Sequence, residues 1–203
     1  MSIPIAGHQA MLAGGKKLPY DAEVQWIKSG SEATYIDFGI VFNATMTLRG
    51  TIGADTYNTR NCCFGARIAN TSANWFGFNF ERYNSSSRNF WWGRNRNFNV
   101  NRVEVDGALP SYVSVETTPT SWTINETTVA SNRADVTGAQ TIRIMFCTVK
   151  SVEIIDNGVI VLLAKPVRFT NELGNSEGAM YDSVTNQLFR ATGGTVTIGP
   201  DKA

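Results

Sequence analysis

Apolar and polar residues alternate along most of the chain after Tyr20, and this period of two predicts β-strands. The alternating segments are short, and turn residues such as Gly, Asn, Asp and Ser separate them. They are 24–27, 35–40, 44–51, 62–69, 75–80, 98–105, 112–116, 121–125, 127–130, 141–148, 151–155, 159–163, 178–181, 187–190 and 195–198. No window of about 12 residues has the 3.6-residue period of an amphipathic helix. The pattern therefore predicts an all-β chain made of many short strands.

Residues 1–19 lack this pattern. They are rich in glycine and have no periodic apolar face, so we predict an extended N-terminal arm (1–19) ahead of a folded domain (20–203). The arm has few apolar side chains that could anchor it to another subunit. They are Ile3, Pro4, Ile5, Met11 and Leu12.

Composition narrows the class of protein. The 203 residues are 42% hydrophobic and 17% charged, with a formal net charge of +1, which suits a globular domain and gives no field that gathers nucleic acid. The N-terminus has no basic, apolar leader, and the longest apolar run is far below the ~20 residues that span a bilayer. We expect synthesis in the cytoplasm without a signal peptide, and no membrane insertion.

Metal and cofactor sites are not predicted. His8 is the sole histidine, and the three cysteines are Cys62, Cys63 and Cys147. We interpret the cysteines as small buried side chains, with a bridge from Cys147 to one of the other two as the alternative. A loop calcium site is a second alternative, although no spacing demands it. Its candidate ligands are Asp37, Asp55, Asp135, Asp156, Glu177 and Asp182.

Two groups of sequence phrases resemble the concanavalin A-like (laminin G-like) jelly rolls, in the variant found in phage and gut-bacterial surface proteins. The opening group is Leu18-Pro19-Tyr20-Asp21-Ala22-Glu23-Val24, Ser29-Gly30 and Tyr35-Ile36-Asp37-Phe38-Gly39-Ile40. The closing group is Val152-Glu153-Ile154-Ile155-Asp156-Asn157-Gly158, Pro166-Val167-Arg168, Gly178-Ala179-Met180-Tyr181-Asp182, Leu188-Phe189 and Gly199-Pro200. The resemblance implies an antiparallel two-sheet jelly-roll sandwich over about residues 18–202. This fold hosts lectins, glycosidases, adhesins and structural modules, so fold alone does not fix function.

Catalysis is not expected. The glycosidases that this chain resembles carry a Glu-x-Asp-x-x-Glu strand, and only Glu104-Val105-Asp106 begins that pattern, because position 109 is a leucine. A nucleophilic triad needs a base inside the fold, whereas His8 lies in the predicted arm.

The most unusual segment is 82–102, which combines five arginines with aromatic residues and has no acidic residue. Aromatic rings beside amides and guanidinium groups suit the stacking and hydrogen bonding of sugars, and they also suit single-stranded nucleic acid. The same residues could instead form core or a subunit contact. The candidate ligand-binding residues are Trp91, Trp92, Arg94, Asn95, Arg96 and Asn97.

These observations leave three hypotheses. The first is a non-enzymatic phage virion surface protein (a capsid decoration, fibre head or tail adhesion module), whose partners are other virion subunits, a second copy of the chain and cell-surface glycan, but not nucleic acid. The second is a bacterial carbohydrate-binding, lectin-like module. The third, a glycosidase, lacks a readable acid–base pair.

Overall fold

The structure, a computed structural model, describes residues 17–29, 33–54, 61–67, 75–82, 88–94, 102–104, 111–130, 141–145 and 147–203. Within these ranges the regular elements are seventeen β-strands and no helix. In chain order they are β1 (Ala22–Glu23), β2 (Ile27–Lys28), β3 (Tyr35–Val41), β4 (Thr47–Ala54), β5 (Asn61–Arg67), β6 (Trp75–Arg82), β7 (Arg88–Arg94), β8 (Arg102–Glu104), β9 (Ser111–Thr117), β10 (Ser121–Ile124), β11 (Thr127–Ala130), β12 (Thr141–Met145), β13 (Thr148–Asp156), β14 (Val159–Thr170), β15 (Ser176–Asp182), β16 (Gln187–Thr192) and β17 (Thr197–Ile198).

The predicted all-β class is confirmed, but some strands differ from the prediction. Residues 24–27 are not one strand, because β1 pairs with β14 whereas β2 pairs with β13 and β17. Segment 141–148 divides in the same way, since β12 pairs with β3 and β5 and β13 pairs with β4 and β14. Strand β7 is absent from the predicted set, because consecutive aromatic residues break the alternation.

The strands form one large, curled antiparallel sheet. Its main run, read from hydrogen-bonded neighbours, is β11-β10-β9-β4-β13-β14-β15-β16-β3-β12-β5-β6-β7-β8. Strand β16 joins the two parts of this run, because residues 187–190 pair with β15 and the last two residues pair with β3. The short strands β1 and β2 extend the ladders beside β14 and β13.

The concave side of the curled sheet encloses the main apolar core. Buried residues from both parts of the run meet in this core, and Phe38 packs edge-on against Phe189 with ring centroids 5.3 Å apart. Cys147 is buried in the same core with 2% exposure, and its sulfur is present as a thiol. Among the described residues, no helix has the length and apolar character needed to cross a membrane.

A second, smaller core lies where the start of the described chain packs on β14 and β15. It contains Leu18, Tyr20, Val167, Phe169, Ala179 and Tyr181. Val167 and Phe169 alternate with the residues that face the main core, so this part of the sheet is buried on both faces. Leu18 lies in the predicted arm (1–19) but is only 7% exposed, so the end of that segment belongs to the folded domain. The arm residues Ile3, Pro4, Ile5, Met11 and Leu12 lie outside the described residues.

Two turns set the register of neighbouring strands, one between β13 and β14 and the other between β15 and β16. Asn157 and Gly158 have φ of 48° and 81°, the left-handed values that a tight hairpin turn between β13 and β14 requires. After β15, the carboxylate of Asp182 is fully buried and accepts hydrogen bonds from the backbone N–H of Leu163, Val184 and Thr185. Asp182 therefore has a structural role in closing the turn into β16.

Candidate functional site

An open groove of about 470 Å³ crosses the outer face of strands β10, β9, β4, β13 and β14. We call it the outer groove. It is lined by Arg49, Gly50, Thr51, Ser114, Val115, Glu116, Thr123, Asn125, Ser151, Val152, Glu153 and Leu163. The groove lies on paired strands on the side of the sheet opposite the main core, so its floor is held by backbone hydrogen bonds.

Strand alternation produces this polar floor. In β4, Leu48 and Ile52 are fully buried in the core, whereas Arg49 and Thr51 point outward. Strand β9 repeats the pattern, with valines inward and Ser114 and Glu116 outward. Because both strands keep the same period, their outward residues form continuous polar rows across the sheet.

The first row, the charged row, consists of Glu116, Arg49 and Glu153 in direct register on β9, β4 and β13. Arg49 Nε donates to Glu116 Oε2, and Arg49 Nη1 donates to Glu153 Oε2 at 3.2 Å. The Arg49 side chain is 48% exposed, while those of Glu116 and Glu153 are 32% and 23% exposed. One guanidinium group thus bridges two carboxylates at the centre of the outer groove.

These contacts fix the charge state of Arg49. The hydrogen bond to Glu116 has the largest effect and the one to Glu153 follows, and together they raise the pKa of Arg49 above its usual value. The two hydrogen bonds therefore favour the charged form of Arg49.

The second row, the hydroxyl row, consists of Ser114, Thr51 and Ser151, again in register on β9, β4 and β13. Their three hydroxyl groups make no side-chain hydrogen bond to any other residue in the described part of the chain. Ser114 and Ser151 are exposed and Thr51 is half-buried. The hydroxyl row therefore offers donors and acceptors to a molecule in the groove.

The two ends of the outer groove differ. At one end, Leu163 on β14 is 45% exposed and lies in register with Glu153, giving an apolar edge. At the other end, Asn125 Oδ1 accepts from the backbone N–H of Ser114 at 3.0 Å, which fastens the β10–β11 turn to β9. Lys150 Nζ on β13 lies 3.6 Å from the centroid of the Tyr112 ring on β9, across the intervening strand β4.

A second polar cluster, formed by Glu23, Lys165 and Lys202, lies at the border between the outer groove and the second core. Lys165 Nζ donates to Glu23 Oε1, and Lys202 Nζ lies 3.7 Å from Glu23 Oε2. Burial by itself opposes ionisation of Glu23, but hydrogen bonding and charge from Lys165 outweigh it and lower the Glu23 pKa. Burial also opposes charge on Lys165, and Glu23 and Tyr20 outweigh it and raise the Lys165 pKa. The cluster is a set of satisfied ion pairs that binds β1 to β14.

The calcium candidates do not come together within the described residues. Asp37 pairs with Arg143 at 2.6 Å, Asp156 accepts from Thr45 Oγ1 at 2.9 Å, and Glu177 accepts from Asn171. Asp182 serves its own turn, and Asp55 and Asp135 fall outside the described residues. No three His, Cys, Asp or Glu side chains are grouped as a metal site in this part of the chain.

The predicted ligand-binding residues fall on and after β7. Trp91, Trp92 and Arg94 are residues of this strand, whose backbone pairs with β6 and β8. Their side chains, and all of Asn95, Arg96 and Asn97, are outside what the structure describes. Strand β7 belongs to the part of the run beyond β3, whereas the outer groove lies in the part that contains β4.

Sequence reasoning missed the outer groove. Arg49, Glu116 and Ser151 lie on predicted strands at outward positions, but their meeting depends on the pairing of β4 with β9 and β13, which are distant in sequence. The available signal was the single charged residue at an outward position in each of β4 and β9, Arg49 and Glu116. Comparison of the chain with family models, curated proteins and solved structures finds no match.

Proposed function

We propose that this chain is a non-enzymatic jelly-roll module of a phage virion surface, and that it attaches to glycans through the outer groove. The observation that carries the glycan part is the hydroxyl row of Ser114, Thr51 and Ser151, three outward hydroxyl groups in register without a partner in the described chain. Sugar recognition requires such hydrogen-bonding groups on a rigid support, and paired strands supply one.

The shape and edge of the groove support the same proposal. A groove of about 470 Å³ is within the ~300–1,000 Å³ range of small-molecule sites. It is open, so a polymer can lie in it without threading. The exposed Leu163 beside Glu153 gives the apolar face of a sugar ring a surface to pack on.

The proposal of a non-enzymatic role is supported by the position of Arg49. A glycosidase needs two carboxylates with the scissile bond between them. Glu116 and Glu153 are the two carboxylates of the groove, and Arg49 occupies the strand between them and holds both. We expect no release of reducing sugar from polysaccharides that the protein binds.

The virion setting and the two-layer jelly roll rest on the sequence resemblance. The shared core of residues from both parts of the curled sheet is consistent with a sandwich. In this proposal the segment 1–16 anchors the module to other virion subunits or to a second copy, through Ile3, Pro4, Ile5, Met11 and Leu12.

A glycan array tests the proposal. The test variant is Thr51→Val/Ser151→Ala, which removes two groove hydroxyls with little change of shape. The matched control is Thr192→Val/Ser176→Ala, which removes two exposed hydroxyls outside the groove lining. We expect the parent and the control to bind the same glycans, and the test variant to bind them about tenfold more weakly, as two neutral hydrogen bonds allow. Absence of any glycan binding by the parent, or equal binding by the test variant, would overturn the proposal.

A further inference from the structure

We infer that the outer groove selects uncharged glycans, and that Glu116 and Glu153 are the residues that exclude acidic ones. This inference rests on the proposed glycan-binding function and adds a specificity to it. An exposed arginine commonly binds anions, but here we infer that the two carboxylates that hold Arg49 repel acidic ligands.

The first step is that Arg49 is already engaged. Its Nε and Nη1 donate to Glu116 and Glu153, and both contacts join full charges. Arginine is well suited to bind a sugar carboxylate or sulfate by parallel hydrogen bonds. Here a ligand anion would have to compete with two resident carboxylates for one guanidinium group.

The second step is the charge of the floor. Arg49, Glu116 and Glu153 are the charged residues among those that line the groove, so the lining has a formal charge of −1. Salt screens charges over about 8 Å at physiological ionic strength, which is longer than the contact distance of a bound sugar. The nearby cations lie outside this lining, since Lys165 pairs with Glu23 and Lys150 lies over the Tyr112 ring, a contact that does not neutralise its charge. A negative ligand group at the centre of the groove would therefore meet two carboxylates and a single guanidinium group that both of them already hold.

The third step concerns what the groove offers a neutral ligand. Ser114, Thr51 and Ser151 lie on three adjacent strands, which are spaced about 4.8 Å apart. This spacing is comparable with the length of one sugar ring. The row therefore matches a saccharide chain that lies across the strands, with Leu163 at one end of its path.

The test is a reversal of groove charge. Glu116→Gln/Glu153→Gln preserves side-chain shape and changes the lining from −1 to +1. The control variant is Glu172→Gln/Glu177→Gln. Glu172 precedes β15 and Glu177 lies in it, and the two substitutions make the same change of charge outside the groove lining. The probes are dextran and dextran sulfate, which share a backbone and differ in charge, together with an array of neutral, sialylated and sulfated glycans. We expect thermal midpoints within about 4 °C of the parent, because the pairs are solvent-exposed.

We expect the groove variant to bind dextran sulfate at least about tenfold more tightly than the parent, because Arg49 becomes available for charge-assisted hydrogen bonds. The single variant Glu153→Gln should show an intermediate gain, and the Glu172→Gln/Glu177→Gln control should match the parent. On the array, the parent should bind neutral glycans in preference to their acidic derivatives.

Two results would overturn the inference and leave glycan binding standing. One is a parent that binds acidic glycans in preference to neutral ones, and the other is a groove variant that gains no more affinity for dextran sulfate than the control. A parent that binds no glycan on the array would remove the proposed function, and the inference with it.

Discussion

The outer face of the curled sheet is covered beside the second core and open at the outer groove, and strand β14 crosses the border. Leu163, Lys165 and Val167 are successive outward residues of this strand, and they are exposed, half-buried and fully buried in turn. Beyond Lys165, Leu18 and Tyr20 cover the sheet and the outward residues are apolar. Before Lys165 nothing in the described chain covers the sheet, and the outward residues that line the groove are polar apart from Leu163.

This difference separates what stabilises the fold from what is available to a ligand. The covered end gains stability by burying apolar side chains such as Val167 and Tyr181. The open end has exposed ion pairs, which contribute about 0–1 kcal/mol each to stability. The exposed ion pairs of the outer groove stabilise the fold so little that they are available for binding. We therefore assign stability to the covered end and propose recognition at the outer groove.

The largest effect that tests this comparison is expected from Tyr181→Ala. Tyr181 is 2% exposed, its ring centroid is 4.8 Å from that of Tyr20, and its hydroxyl donates to Asn186 Oδ1. Truncation of such a buried aromatic residue should lower the free energy of unfolding by about 3–5 kcal/mol in a denaturant titration. Tyr112→Ala, which changes the same residue type at a half-buried position by the open groove, should cost clearly less. Equal costs would contradict the division between the two ends.

A smaller but still large effect is expected from truncation of the chain start. Deletion of residues 2–20 removes Leu18 and Tyr20 from the second core and should destabilise the domain by at least about 1.5–3 kcal/mol, the contribution of Leu18 alone. Deletion of residues 2–16 should leave the free energy of unfolding nearly unchanged and abolish association with virion subunits or self-association. Light scattering and thermal unfolding of both deletions measure this, and a 2–16 deletion that unfolds the domain would refute the anchoring role of the arm.

The smallest effect is expected from the ion pairs that border the two ends. The Glu23 pKa is lowered from its ordinary value of 4.5, so its contribution to stability is present above that value and is lost as pH falls through the folded-state pKa. The Lys165 pKa is raised from 10.5, so its contribution is present below that value and is lost as pH rises through the folded-state pKa. Glu23→Gln should lower the free energy of unfolding by about 0.2–1 kcal/mol at neutral pH and leave it unchanged at the acid end. A constant difference across the acid range would show that the pair does not act through ionisation.

The sequence predicts the elements of this structure better than it predicts the site. Alternation is a local property, so the strand that contains Thr51 and the hairpin at Asn157 and Gly158 are predictable from neighbouring residues. The charged row depends on β4 lying between β9 and β13, and such long-range pairing leaves no local mark in the strands. The sequence instead predicts a binding site in the arginine- and tryptophan-rich segment around Trp91, because its unusual composition can be read directly. The residues that become neighbours across paired strands cannot be read from the sequence in this way.

The most direct test of the central claim is the position of a bound neutral glycan. Amide chemical shifts of the ¹⁵N-labelled protein, recorded during titration with the best neutral glycan from the array, locate the contact residue by residue. We predict that the largest changes occur at Ser114, Thr51 and Ser151, in the central strands of the outer groove. Changes confined to Trp91, Trp92 and Arg94 on β7 would contradict the assignment of recognition to the groove.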